Sequence, residues 1–298
     1  MQNVATLITD PSRADLRQAA VDTVVDALRQ AGARITGQDW LHPQVACDVT
    51  FDGVAADAAR QALNQACDGA AFDIVVQPRE GRRKAMLIAD MDATIVEGET
   101  LDELAEAAGL KDRIATITAR AMRGEIEFKA ALRERVSMLE GLPVAALETT
   151  YRRIRFSPGA LTLVRTMRTA GAFTVLVSGG FRYFVSRIAE TAGFHNFECN
   201  DFEIDGDRLT GRVVEPVLDK DAKLAALLRF ARECGIDVAA TMAAGDGAND
   251  LPMIKAAGLG VAYHAKPLVV AEAPAAIRHG DLTALLYMQG YRREELRS

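Results

Sequence analysis

Apolar positions in the first eighty residues follow two periods in turn. Residues 4–9 repeat every second position, as a half-buried strand does, and Asp10-Pro11-Ser12 behind them is a helix-start signal. Leu16, Ala19, Ala20, Val24, Ala27 and Leu28 then recur at helical spacing until Gly32 stops the pattern. Residues 47–51 and 74–76 are short apolar runs, and 55–67 is helical between them. With one further strand the order is strand–helix–strand–strand–helix–strand, a ferredoxin-like α+β arrangement.

From residue 84 the pattern changes. Residues 84–91 (KAMLIADM) and 173–177 (FTVLV) read as buried strands, with shorter candidates at 241–244 and 260–262. Helical stretches such as 181–192 and 221–234 lie between them. Strands alternating with helices predict a parallel sheet covered on both faces, a Rossmann-like α/β core. The stretch 102–155 is too long for a simple crossover and reads as an inserted helical cap, about 102–156. The first segment resembles, in pattern and size, the small amino-acid-binding module called the ACT domain. Asp10-Pro11-Ser12 stands where many such modules carry a Gly-rich turn, so a dimerisation or packing role is the plainer reading.

Charge supports a boundary near residue 81. The first 80 residues hold six Arg, no Lys and eleven acids, and the polar Pro78-Arg79-Glu80-Gly81-Arg82-Arg83-Lys84 follows. Linkers have this composition because their backbone stays solvated. The expected division is 1–80, an ACT-like regulatory or dimerisation domain, and 81–298, the catalytic domain.

Over all 298 residues the net charge is −6. An acidic balance counts against nucleic acid or an anionic membrane as the main partner. Cys47, Cys67, Cys199 and Cys234 are scattered without a CxxC, so neither a zinc site nor a disulfide framework is expected. No apolar run reaches the roughly 18 residues of a membrane span, and no basic residue precedes Arg13. A cytoplasmic protein is expected.

The candidate chemistry sits at strand ends. Asp90-Met91-Asp92-Ala93-Thr94 closes the strand 84–91, and two carboxylates one residue apart repel unless a cation joins them. Magnesium favours such hard oxygen ligands, and an Asp can also accept a phosphoryl group. Gly245-Asp246-Gly247-Ala248-Asn249-Asp250 supplies two more carboxylates on a glycine-rich turn. Val177-Ser178-Gly179-Gly180 puts a hydroxyl and successive N–H groups before a helix. Lys223 lies near the start of 221–234. Each alone has a plainer reading: a strand-end cap, a turn, a loop, a solvated cation.

Together, and in this order, they resemble the four motifs of the haloacid dehalogenase superfamily, over about residues 84–290. The run from Asp90 through Glu99 to Ala105, the cap segment Phe128-Lys129-Ala130-Ala131-Leu132-Arg133-Glu134-Arg135-Val136, and His264-Ala265-Lys266-Pro267 are similar to the phosphoserine phosphatase family within it. Ala93 departs from the Ser that family members commonly carry.

The resemblance implies roles. Asp90 would be the nucleophile and Asp92 the general acid and base. Ser178 and Lys223 would neutralise the phosphoryl group. Mg²⁺ would be held by Asp90, the carbonyl of Asp92, and Asp246, with Asp250 acting through water or orienting Lys223. Gly179 and Asn249 would lie near the phosphate. Glu99 would meet the substrate ammonium, Arg135 its carboxylate, and Met122 and Phe128 would close over the site. The implied reaction is Mg²⁺-dependent hydrolysis of O-phospho-L-serine, closing serine biosynthesis, in a possible homodimer. Two alternatives stay open: another small phosphate or an alcohol acceptor such as homoserine, and an amino-acid-binding regulatory protein.

Overall fold

The computed structural model describes residues 2–122, 125–218 and 220–298; the side chains of Met122 and Lys220, and with them the expected role of Met122, lie outside the described residues. The chain opens with β1 (Asn3–Ile8), α1 (Gln18–Gln30), β2 (Arg34–His42), β3 (Ala46–Asp52), α2 (Ala56–Ala66) and β4 (Asp73–Pro78). These strands form an antiparallel sheet in the order β2-β3-β1-β4, the ferredoxin-like arrangement. Ala5 and Leu7 face the two helices and pack with Val24, Leu28, Phe51 and Leu63. Ile8, Leu41, Ala46 and Val75 face the other way and join the core of the following unit. That double covering is why every residue of β1 is buried.

The second unit is built on β5 (Met86–Ala89), β6 (Phe173–Phe181), β7 (Asn196–Asn200), β10 (Thr241–Gly245), β11 (Leu259–Tyr263) and β12 (Ala275–Ile277). All pairings are parallel, in the order β12-β11-β10-β5-β6-β7. Met86 and Ile88 pack on one face and Leu87 and Ala89 on the other, so β5 reads as an unbroken apolar run. Crossovers are made by α7 (Ala160–Thr169), α8 (Arg182–Ala192), α9 (Lys220–Glu233), α10 (Leu251–Ala256) and α11 (Pro267–Glu272), and α12 (Ala284–Met288) ends the unit. The chain runs from β5 outward through β6 and β7, then returns to β10 on the opposite side. The reversal places a crevice at the carboxyl ends of β5, β6 and β10, where ligands bind in such sheets.

Between β5 and α7, among the described residues, stand four α-helices: α3 (Thr100–Ala107), α4 (Lys111–Met122), α5 (Phe128–Ser137) and α6 (Ala145–Tyr151). They enter and leave through one narrow neck. Val96 bridges Phe156, Glu97 N donates to Arg155 O at 2.9 Å, and Ser157 N donates to Ile95 O at 3.0 Å. The hairpin β8 (Phe202–Asp205) and β9 (Arg208–Val213) reaches up from the sheet to meet the cap. Gly141 N and Leu209 O, and Leu209 N and Leu142 O, are joined at 2.8 and 2.9 Å.

The polar stretch after β4 is largely exposed, with two of its side chains anchored. The Arg82 side chain is 15% exposed and pairs with the buried Asp48 at 2.6 Å, while Lys84 Nζ donates to the carbonyls of Gly81 and Ala239. Arg82 thus ties the segment to the first sheet and Lys84 ties it to the second unit. Asp73 also ties the first sheet to the second unit: its carboxylate accepts from the amides of Arg278, His279 and Gly280 at 2.8, 3.0 and 2.8 Å. Among the described residues, no helix is long and apolar enough to cross a membrane.

Candidate active site

Asp90 follows the last residue of β5, and its amide donates to Ala244 O of the neighbouring β10 at 3.0 Å. Its carboxylate is nearly buried. Oδ1 accepts from the Met91 amide at 2.8 Å and pairs with Lys223 Nζ at 2.7 Å, leaving Oδ2 without a protein donor among the described residues. Lys223, on the first turn of α9, reaches equally to Asp250 Oδ1 at 2.5 Å. Asp250 is fully buried, and its Oδ2 accepts from the amides of Asp246 and Gly247 at 3.1 and 3.0 Å. A Cβ at Gly245 would fall 2.5 Å from the Asp250 carboxylate, so glycine is what allows this approach.

Asp90, Asp246 and Asp250 each offer an oxygen within 4.8 Å of the others. Three hard oxygen donors at a strand end suit Mg²⁺ better than a soft metal. The electrostatics point the same way. Burial, then the charge of Asp250, push the Asp90 carboxyl well above its ordinary range, with Lys223 opposing. Burial alone would lower the Lys223 ammonium, and Asp90 and Asp250 more than reverse that, so the lysine is held charged. One ammonium among three acids leaves the cluster short of positive charge.

Asp92 is turned away from that cluster. Its Oδ1 accepts from Thr100 N at 2.8 Å, and Oδ2 lies 3.5 Å from Ser178 Oγ, too far for a strong bond. The turn holding it is sharp: Ala93 has φ +52°, and its amide donates to Gly98 O at 2.8 Å. Ser178, on β6, is buried and accepts from Gly180 N at 2.8 Å. A Cβ at Gly180 would meet Ser178 Oγ, Asp92 Oδ2 and Met91 Cε at 3.0 to 3.1 Å, so a side chain there would press on the serine and the aspartate. The Phe128 ring lies 3.7 Å from where a Cβ on Gly179 would sit, which brings the start of α5 over the serine turn. Asn249 is half-buried, with its amide against Gly247.

The cap contributes charge of both signs. Glu99 precedes α3 and is exposed at the mouth of the crevice. Crowding by protein atoms, then the charges of Asp92, Asp246 and Asp102, raise its carboxyl to about 7. Arg135, in the last turn of α5, has a buried Nε with no hydrogen-bond partner among the described residues. Burial lowers its guanidinium, and Asp102, Glu99 and Asp92 act against that. An unpaired buried donor on a guanidinium costs about 1–3 kcal/mol until something accepts from it.

Two groups in this site lacked a motif. Asn200, at the end of β7, donates through Nδ2 to Gly179 O at 2.8 Å, and the Thr100 amide holds Asp92. The first is brought in by strand register and the second is backbone, so residue type signals neither.

Residues 87–255 match the haloacid dehalogenase-like hydrolase family. The chain is 44% identical over 233 residues to the phosphoserine phosphatase of Archaeoglobus fulgidus, covering 77% of this chain and 68% of that protein. It is 46% identical over 199 residues to that of Streptococcus thermophilus, covering 67% and 93%. The structure of a probable phosphoserine phosphatase from Vibrio cholerae superposes with a TM-score of 0.79 at 28% identity, over 98% of this chain and 88% of that one. With the motif carboxylates, Ser178 and Lys223 gathered at one crevice, the chain belongs to the phosphoserine phosphatase family of haloacid dehalogenase-like hydrolases.

Proposed function

We propose that this protein hydrolyses O-phospho-L-serine to L-serine and phosphate, with Mg²⁺, through an aspartyl phosphate on Asp90. The substrate reading is supported by the likeness to phosphoserine phosphatases together with the nearness of Arg135 to Glu99 and Asp92, a guanidinium and an acid beside one crevice. Arg135 has a donor to give a carboxylate, and Glu99 a charge to give an ammonium, on either side of a phosphate site.

An Asp90 carboxylate oxygen attacks phosphorus while the ester bond to serine breaks, and Asp92, protonated, gives its proton to the departing oxygen. Asp92 then takes a proton from water as that water attacks the phosphoryl group, which frees Asp90 and inorganic phosphate. Ser178 and Lys223 bind the phosphoryl oxygens, and Phe128 shields the exchange from bulk water. Asp90, Asp246 and Asp250, with the Asp92 carbonyl, would hold Mg²⁺, which when bound offsets the negative charge of carboxylates and phosphate. Little covalent work remains beyond such placement and charge compensation. The same reading puts the reaction in the cytoplasm at the end of serine biosynthesis. Residues 1–80 would form a dimerisation or regulatory domain and 81–298 the phosphatase.

Phosphate release from O-phospho-L-serine, with and without Mg²⁺, beside phosphothreonine and a sugar phosphate, tests this. Mg²⁺-dependent release favouring phosphoserine is expected, and Asp90→Asn should lower it at least about a thousandfold with the fold intact. Release from the other esters alone overturns the substrate reading. An active Asp90→Asn overturns the covalent route.

A further inference from the structure

Asn200 is 2% exposed, and both ends of its side-chain amide are engaged. Nδ2 donates to Gly179 O at 2.8 Å, and Oδ1 accepts from Leu218 N at 2.7 Å. The Gly179 carbonyl shares a peptide with the Gly180 N–H, and in a trans peptide the two point in opposite directions. That N–H donates to Ser178 Oγ at 2.8 Å. Asn200 and Ser178 therefore grip one peptide from its two ends. With an Oγ lone pair taken by Gly180, the Ser178 hydroxyl proton has only Asp92 Oδ2, at a long 3.5 Å, and is free to turn to a stronger acceptor in the crevice.

We infer that Asn200 is a positioning residue for phosphate recognition: by fixing the plane of the Gly179–Gly180 peptide it aims the Ser178 hydroxyl at the phosphoryl group. The inference rests on the phosphatase reading for the identity of the anion and not for its leaving group. The position calls for an amide, since one end must donate to a carbonyl and the other accept from an amide. Aspartate has the same shape and keeps the acceptor. Its ionised oxygen, though, faces the Gly179 carbonyl and repels it, turning the peptide and releasing Ser178.

Asn200→Asp tests this. Its kcat/KM on O-phospho-L-serine should fall about ten- to hundredfold at pH 8, the scale of one mis-set buried hydrogen bond. Relative to the parent at the same pH, the loss should shrink as pH falls, because a protonated carboxyl again donates to Gly179. In a Ser178→Ala background, Asn200→Asp should change kcat/KM by less than about twofold, since the residue acts through that hydroxyl. Asn200→Ala should lose activity by a factor that does not vary with pH. A purely structural role predicts something else: equal losses in both backgrounds, a pH-flat ratio for Asn200→Asp, or a lowered Tm with unchanged kcat/KM. Any of these overturns the inference. Should Asn200→Asp not fold, the same cycle with Asn200→Ser decides it. A parent inactive on phosphoserine refutes the substrate reading alone, and the cycle is then run on p-nitrophenyl phosphate.

Discussion

Lys223 sits almost wholly out of water between Asp90 and Asp250, with Asp246 close by. Buried charges persist only when paired, and here Asp90 and Asp250 are each answered by the Lys223 ammonium and by backbone N–H groups. Arg135 shows the complementary case, a buried donor left unanswered. Arg135→Ala should therefore lower kcat/KM for phosphoserine by about a hundredfold and leave an ester lacking a carboxylate nearly unaffected, a difference read by parallel kinetics on the two esters. Arg135→Lys should recover only part of the loss, because an ammonium lacks the planar fork. Equal losses on both esters would make Arg135 a structural residue. At this scale the sequence was most informative where chemistry follows an apolar strand directly, as at Asp90, Ser178 and Asp246. Asn200 stayed hidden because it is the last residue of β7, a partly exposed strand whose outer residues are polar.

Whole elements were legible in proportion to their burial. The strands β5, β6, β10 and β11 are continuous apolar runs because helices cover both faces, and each was recognisable from that alone. The hairpin β8–β9 was not, since exposed acids, Arg208 and a Gly206 turn interrupt any alternation. Its partner is the cap rather than the sheet, a long-range pairing that local pattern does not encode. The close packing of α10 on β11 is another long-range demand: a Cβ at Gly260 would lie 1.8 Å from the Ile254 carbonyl oxygen. Backbone cannot swing aside as a side chain does, so Gly260→Ala should cost about 3 kcal/mol in urea unfolding. Unchanged stability would show that helix and strand have slack between them.

The first sheet and the second share one apolar core, in which Ile8, Leu41 and Val75 meet Leu282, Leu286 and Tyr287. Their polar contacts are as specific, with His42 Nδ1 2.6 Å from the Tyr287 hydroxyl and Asp73 receiving three amides. The composition shift near residue 81 marks where one sheet ends, but it carries no information on how firmly the sheets join. Asp73→Ala would strand three backbone donors and should lower stability by about 3 kcal/mol or more, measured by denaturant unfolding. A loss below about 0.5 kcal/mol would mean water replaces the carboxylate readily. A different consequence follows from the neck at Val96 and Phe156, where the four-helix insert leaves the core within one bridge of where it entered. The insert's ends are already side by side, so another insert with similarly spaced ends can be placed there without re-registering the parallel sheet, leaving only the contacts to β8–β9 to be rebuilt. Cap and parallel sheet are thereby separately exchangeable parts of the chain.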